Sequence, residues 1–328
     1  MAQIKNRGAL PMFKLTFPIA MEQFLRILVS SADTFMLSSY SNDAVAAVGL
    51  VSQYVFFLNL IFSVIGTGCS IVLAQYIGAN KSKDELNHIA QASGIMVSII
   101  SVILTFAVIF GTMPLLNCYE LEDTVRQFAW QYFVIYGGIC CFFNACSLLQ
   151  GSILRSYGYT SEAMIVSLVA NFINVAGNAL SLYGWFGLPV FGVKGVAWSS
   201  GISMIASCIL FNFFIRHRKD VEFHIHGITK VPALSYKTVL SVGIPTAGES
   251  LSYNVSQIVI MAMISTLGTN AMSAQVYTMT IVRFVFAVAS AVGQATQIKT
   301  GYYVGAKESD VAYKKVFKYQ LISTACSM

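Results

Sequence analysis

Formal charge is scarce in this sequence: Asp, Glu, Lys and Arg together make up 10% of its 328 residues, against about 25% in a soluble domain. Residues 95–117, 127–154, 163–193 and 195–215 carry no charged side chain at all. A helix of about 20 apolar residues crosses the hydrocarbon core of a bilayer, so a soluble fold is excluded. Short segments of alternating polarity are missing too, which excludes an outer-membrane barrel. The sequence has no C-x-x-C pair, no His/Cys/Asp cluster, no activated nucleophile and no Gly-rich nucleotide loop. That argues against an enzyme, a bound cofactor or metal, and transport driven by ATP held on this chain. The Cys at 69, 118, 140, 141, 146, 208 and 326 stand mostly in apolar segments and read as small packing residues. The N-terminus lacks a small-residue cleavage site after a short apolar stretch. The long run that follows Lys5, Arg7 and Lys14 and reaches Tyr40 therefore reads as a spanning helix, not a signal peptide.

What is present is a series of apolar blocks, which predicts an all-α, polytopic membrane protein. Expected spans are 14–39, 45–77, 88–114, 125–148, 159–183, 191–215, 238–267 and 272–300, with a ninth starting near Val311. Breakers mark the turns: Ser41-Asn42-Asp43, Gly78-Ala79-Asn80, Gly184 to Pro189 and Gly268-Thr269-Asn270. Basic residues collect on the cytoplasmic side of membrane proteins. With the N-terminus inside, alternation puts nearly all of them there, among them Lys81, Lys83, Arg155, Arg216, Arg218, Lys219, Lys230 and Lys237. Only Arg126 and Lys194 fall outside, with the acidic loop Glu120-Leu121-Glu122-Asp123. The net charge of +6 is thus explained by topology rather than by nucleic-acid binding.

Sliding the sequence on itself by 227 residues brings Pro18 onto Pro245, Glu22 onto Glu249, Ser63 onto Ser290, Gly66 onto Gly293, and Tyr76-x-Gly78-Ala79 onto Tyr303-x-Gly305-Ala306. Apolar composition does not keep Pro, Glu and Gly in register. Six helices separate the copies, so both enter the membrane from the same side, as in transporters built from parallel halves. The expected organisation is a six-helix N-lobe at 1–215, a cytoplasmic linker at 216–237, and the first helices of a pseudo-symmetric C-lobe at 238–328.

Ionisable residues inside a span are costly and mark functional sites. The first helix carries Glu22, Arg26 and Asp33 at steps of four and seven, which share one helical face. Glu22 and Arg26 are one turn apart and suit a structural ion pair; Asp33 is too far away to be held by Arg26. Asn174 and Asn178 share a face of the fifth helix, beside Asn171, and the sixth offers Ser199 and Ser200. These groups form either a hard oxygen site for Na⁺ or a hydrogen-bonded setting for a protonatable Asp33, although Asn in a span also serves as interhelical glue. In the second repeat, Glu249 and Arg283 stand at similar depth and are expected to pair, either as a neutralised buried pair or at a substrate site. Pro18 and Pro245 are expected to kink their helices and are hinge candidates. Tyr54-Val55-Phe56-Phe57 and Tyr132 to Tyr136 either line a cavity or pack in core and lipid. His217, His224 and His226 belong to a linker that reads as solvated rather than metal-binding.

These residues resemble the multidrug and toxic compound extrusion family. Pro18 followed by Asp33-Thr34 resembles its opening helix, Asp43 to Leu50 its first external turn, and Gln75-Tyr76-Ile77-Gly78-Ala79-Asn80 the end of its second helix. Asn174-Val175-Ala176-Gly177-Asn178 with Gly184, Gly192 to Ser200, and Gly243-Ile244-Pro245 with Glu249 resemble its fifth, sixth and seventh helices. The resemblance implies two six-helix bundles in a V around a central cavity. It also implies export of organic, often cationic compounds across the cell (inner or plasma) membrane in exchange for H⁺ or Na⁺. The family's N-lobe cation site falls on Asp33, Asn174, Asn178 and Ser200; some members carry Asp where this chain has Asn178. The implied partners are small organic substrates and the bilayer, with no nucleic acid and no cofactor beyond the coupling ion, in a monomeric protein. The family pattern also implies the rest of the ninth helix and three more. The alternative within the same superfamily is a flippase for lipid-linked saccharide precursors.

Overall fold

The computed structural model describes residues 10–187, 189–224, 231–265 and 269–327. Lys5, Arg7, His226, Lys230 and Gly268 lie outside the described residues. The described chain is helical throughout: α1 (Met12–Tyr40), α2 (Asn42–Gly78), α3 (Lys83–Leu116), α4 (Asp123–Tyr132), a π-helical stretch Phe133–Ile139, α5 (Cys141–Ser156), α6 (Thr160–Tyr183), α7 (Gly192–His217), α8 (Ala233–Ser265), α9 (Thr269–Gly305) and α10 (Ser309–Ser327). It has no strand among the described residues. Helices α2, α3, α6 and α7 are each long and apolar enough to cross a membrane. The α4–π–α5 unit makes a fifth such span, bent by 50°. Helices α1, α8 and α9 have the length, at 29, 33 and 37 residues, but carry the intramembrane charges.

Local chemistry sets the ends. Ser41 alone separates α1 from α2, its side chain accepting from the Asp43 amide. Ser82 and Glu85 form a capping box that starts α3 five residues before the expected position. Gly184 closes α6 in the left-handed region, at φ 61°. The largest departure from expectation is in the fourth span. The chain bends at Cys140, between the π-helical stretch and α5, and just before the bend Thr105 Oγ1 donates to the Gly138 carbonyl at 3.0 Å. Helix α5 consequently runs on to Ser156, so Arg155 lies on its last turn rather than in a loop.

The loops gather at two ends, as alternation requires. At one end, Thr124 donates to Asp43 at 3.2 Å and Tyr54 meets Tyr119 hydroxyl to hydroxyl at 2.5 Å. At the other, Lys83 Nζ lies 2.6 Å from Glu222, and Tyr159 donates to Asp220. The first part of the linker keeps His217 and His224 exposed, as the sequence predicts, but is docked between them. Val221 and Glu222 are buried, the His224 amide donates to Asn87, and Gln91 donates to the His224 carbonyl. His217 instead stacks on Phe213.

The repeat is visible in how α2 crosses α9. A Cβ on Gly78 would overlap the backbone of Tyr302, and a Cβ on Gly305 would overlap the backbone of Gln75. The offset of 227 converts the first contact into the second. Gly301 faces Ala74, its own repeat equivalent, and an added Cβ would fall 2.7 Å from Ala74 Cβ. A contact that maps onto itself under the repeat marks a local two-fold axis. The equivalent glycines are what let the two backbones meet there.

Candidate functional site

Two overlapping cavities of about 1190 and 1010 Å³ open between α1, α2, α5, α6 and α7 on one side and α8 and α9 on the other. Glu22, Arg26, Arg155, Tyr253, Asn254 and Phe286 line both.

Asp33, half-buried on α1, faces the smaller of the two. Asn178 Nδ2 donates to its Oδ1 at 2.7 Å. The Asn174 amide satisfies both its ends when its nitrogen faces the carboxylate, at 3.2 and 3.3 Å from Oδ1 and Oδ2, and its oxygen accepts from Ser200 Oγ at 2.9 Å; the hydrogen-bond network is what assigns this orientation. Tyr132 lines the same cavity as Ser200. Asn178 Oδ1 is buried and has no partner in the protein. The four residues that the resemblance put at the cation site are therefore adjacent in space. Among the described residues no Lys, Arg or His is in ion-pair distance of Asp33. Ser199 is turned away, donating to the Gly195 carbonyl at 2.8 Å, and Asn171 lines the cavity.

Glu22 differs in being buried and clamped. Arg26 Nη2 lies 3.2 Å from its Oε1, as the spacing predicts, and Arg155 Nη1 lies 3.3 Å from both carboxylate oxygens. Arg155 is a cavity-lining partner of Glu22 that the sequence reading missed by placing it in a cytoplasmic loop. The available signal was its position immediately after the uncharged run 127–154, together with the need of a buried Glu22 for more than one exposed neighbour. Of the aromatic residues left between cavity, core and lipid, Tyr132 and Tyr136 line the smaller cavity.

Glu249 and Arg283 do not form the expected pair; among the described residues neither has an ion-pair partner. Both side chains are exposed on cavity walls, so neither requires neutralisation by the other. Pro18 is buried and Pro245 exposed. Helices α1 and α8 run without interruption through these prolines, so neither ends or frays its helix.

With Arg155 included, the cavity holds three carboxylates (Glu22, Asp33, Glu249) and three guanidinium groups (Arg26, Arg155, Arg283). Among the described residues no group of His, Cys, Asp and Glu is arranged to hold a metal through several such ligands. A monovalent ion at Asp33 would instead rely on amide and hydroxyl oxygens.

The family profile described as MatE matches residues 18–180 and 245–328. An uncharacterized transporter, YisQ of Bacillus subtilis (strain 168), is 35% identical over 94% of this chain and 67% of its own length. A probable multidrug resistance protein, NorM of Thermotoga maritima, is 28% identical over 79% of this chain and 55% of its own. The chain thus spans about two thirds or less of these relatives. The crystal structure of a MATE protein in the straight conformation superposes with a TM-score of 0.88 at 19% identity, covering 98% of this chain and 71% of that one.

Proposed function

The chain belongs to the MatE family of multidrug-type transporters, and from that premise we propose that it takes part in exporting small organic compounds in exchange for H⁺ or Na⁺ bound at Asp33. A single observation carries this reading. Asp33 is an intramembrane carboxylate that opens on a large cavity, is held only by neutral amides, and has no cation paired to it. Such a carboxylate can gain or lose a cation without breaking an ion pair. Asn178 Oδ1 and Ser200 Oγ would complete an oxygen shell for Na⁺; a proton would need only the carboxylate.

Coupling follows from charge. With Asp33 ionised, three negative and three positive groups balance across the cavity. Neutralising Asp33 leaves one excess positive charge and weakens the hold on a basic cargo. Ion and cargo then favour different orientations, which is the differential affinity that alternating access needs. Pro18 and Pro245, whose missing N–H groups soften α1 and α8, are the proposed hinges. The two repeats are the proposed lobes, moving about the α2–α9 crossing. The proposed setting is the cell membrane, with the N-terminus cytoplasmic and the protein acting as a monomer. The NorM relatives are named probable multidrug resistance proteins, and no observation favours the flippase alternative.

The test is dye transport in proteoliposomes under an imposed pH or Na⁺ gradient. Gradient-driven movement should disappear in Asp33→Asn while the variant stays folded and monodisperse. Undiminished coupled transport by that variant would refute the role of Asp33.

A further inference from the structure

We propose that the end of the bundle bearing the α9–α10 turn holds a site for the phosphate of an anionic phospholipid, formed by Lys299 and Lys315 with the hydroxyl of Tyr319. None of the three lines the cavity. Lys299 is a buried charge, only 4% exposed. Its Nζ donates to the Leu10 carbonyl at 2.6 Å and to the Tyr319 hydroxyl at 3.4 Å, and lies 5.8 Å from the Tyr319 ring centroid. These partners are neutral. All fourteen Asp and Glu of the chain lie among the described residues, and none is in ion-pair distance of Lys299 or Lys315. Buried charges are ordinarily paired, because burial without a counter-charge is costly. The shared backbone plan does not ask for a lysine here: the equivalent position in the first repeat is Val72, also buried.

Lys315 doubles that charge. Lys299 and Tyr303 stand four residues apart on α9, and Lys315 and Tyr319 four apart on α10, so each pair shares a helix face. Each lysine reaches the tyrosine of the other helix. Lys299 bonds Tyr319, and Lys315 donates to Tyr303 with its ammonium 4.3 Å from that ring's centroid. Lys299 is buried, but Lys315 and Tyr319 are only half-buried and open the cluster to the outside. An ammonium has three N–H donors, and a phenol that accepts a bond still has its own O–H to give. Lys315 and Tyr319 therefore keep donors for an oxyanion, with the Lys299 charge behind them. Depth fits a lipid phosphate. Helix α9 has 37 residues, about 55 Å, against about 30 Å of hydrocarbon; centred, it has about 12 Å to spare at each end. Lys299 lies six residues before Gly305 and Lys315 six after Ser309, each about 9 Å from its helix end, in the headgroup layer. Residues 299–318 carry five Lys against Glu308 and Asp310. Tyr313, Phe317 and Leu321, exposed at steps of four on α10, supply an apolar flank for acyl chains that a free phosphate would leave bare. Basic pockets between helices at the membrane surface take anionic headgroups through charge-assisted hydrogen bonds.

Short-chain lipids provide the test. Dioctanoyl phosphatidylglycerol, dioctanoyl phosphatidylcholine and inorganic phosphate would each be titrated into the whole chain in a neutral detergent, with binding read by native mass spectrometry. Phosphatidylglycerol should bind about twentyfold tighter than phosphatidylcholine. Lys299→Met and Lys315→Gln should each cost about fivefold of that preference. Lys315→Arg should keep it, and Tyr319→Phe, which removes only the O–H, should weaken phosphatidylglycerol alone. Lys318→Gln, exposed on the same helix but outside the cluster, should cost much less than either lysine variant. Where Lys299→Met does not fold, Lys315→Gln and Tyr319→Phe, at half-buried positions, carry the test. A preference that survives both of these, or that falls equally with Lys318→Gln, would be a general effect of surface charge and would overturn the site. Equal binding of the two lipids overturns it as well. Displacement of phosphatidylglycerol by an equal concentration of inorganic phosphate would assign the cluster to a soluble anion and overturn the lipid assignment.

Discussion

Helix α1 carries Glu22, Arg26 and Asp33; α8, its repeat, carries Glu249, Tyr253 and Ile260 at the equivalent positions. Both helices keep the proline four residues before the glutamate, and both pairs of helices keep the glycine at the α2–α9 crossing. The repeat therefore preserves the backbone plan and lets the chemistry diverge. One glutamate is buried between two guanidinium groups, and the other stands bare in the cavity. Only the first copy has an intramembrane aspartate, and only the second places a guanidinium where the first has a ring, Arg283 against Phe56. On the proposed function, the symmetric crossing is the pivot, and the asymmetric walls leave the intramembrane aspartate to the first copy alone.

The symmetric part is open to the harshest challenge. Gly78→Val and Gly305→Val should each force apart two backbones in contact, at about 3 kcal/mol or more, and the two losses should be alike because the contacts are equivalent. Thermal unfolding followed by fluorescence-detected size exclusion measures both. A large loss for one glycine with none for the other would show that the crossing is not a two-fold contact. The asymmetric part is tested next by Asp33→Asn, which should reduce ion-coupled transport by about a hundredfold, at the upper end of the usual coupling range. Adding Ile260→Asp to that variant should restore nothing, since among the described residues the amide and hydroxyl cluster of Asn174, Asn178 and Ser200 lies beside α1. Recovery would mean that the halves are interchangeable.

A smaller effect separates the two glutamates. Arg155→Gln leaves buried Glu22 with only the exposed Arg26, and removing one partner of a buried pair is costly. Part of the pair faces an open cavity, so the expected loss is about 2 kcal/mol. Glu249→Gln should leave thermal stability unchanged, because no partner is lost. Equal shifts for the two variants would erase the distinction between clamp and bare group.

Much of the frame was legible before any coordinates. Uncharged blocks give the spans, because lipid leaves a backbone few alternatives to helix, and Pro, Glu and Gly in register give the repeat. The Asp33 cluster was legible because polar side chains in separate spans must find one another. Arg155 was not, since its place depends on the bend at Cys140 and on α5 running past the end of the apolar block. The absent Glu249–Arg283 pair was not legible either: similar depth says nothing about which wall a side chain lines or whether that wall is open. The docking of Val221 and Glu222 was hidden because a polar linker gives no sign of the groove it enters.

The mildest test of the comparison lies at Gly66 and Gly293, equivalent glycines in α2 and α9. An added Cβ at Gly66 would fall 3.1 Å from Ser152 Oγ, whereas at Gly293 it would meet nothing within 4 Å. Ser152 is tied to the Leu148 carbonyl at 2.9 Å, so it yields only by weakening that bond. Gly66→Ala should therefore be neutral to destabilising by up to about 1 kcal/mol. Gly293→Ala gains helix order without a clash and should be stabilising by about 0.5 kcal/mol. Opposite signs at two equivalent positions, read as opposite shifts in melting temperature, are what a shared backbone with divergent surroundings requires; the same sign at both would confine the divergence to the charged residues.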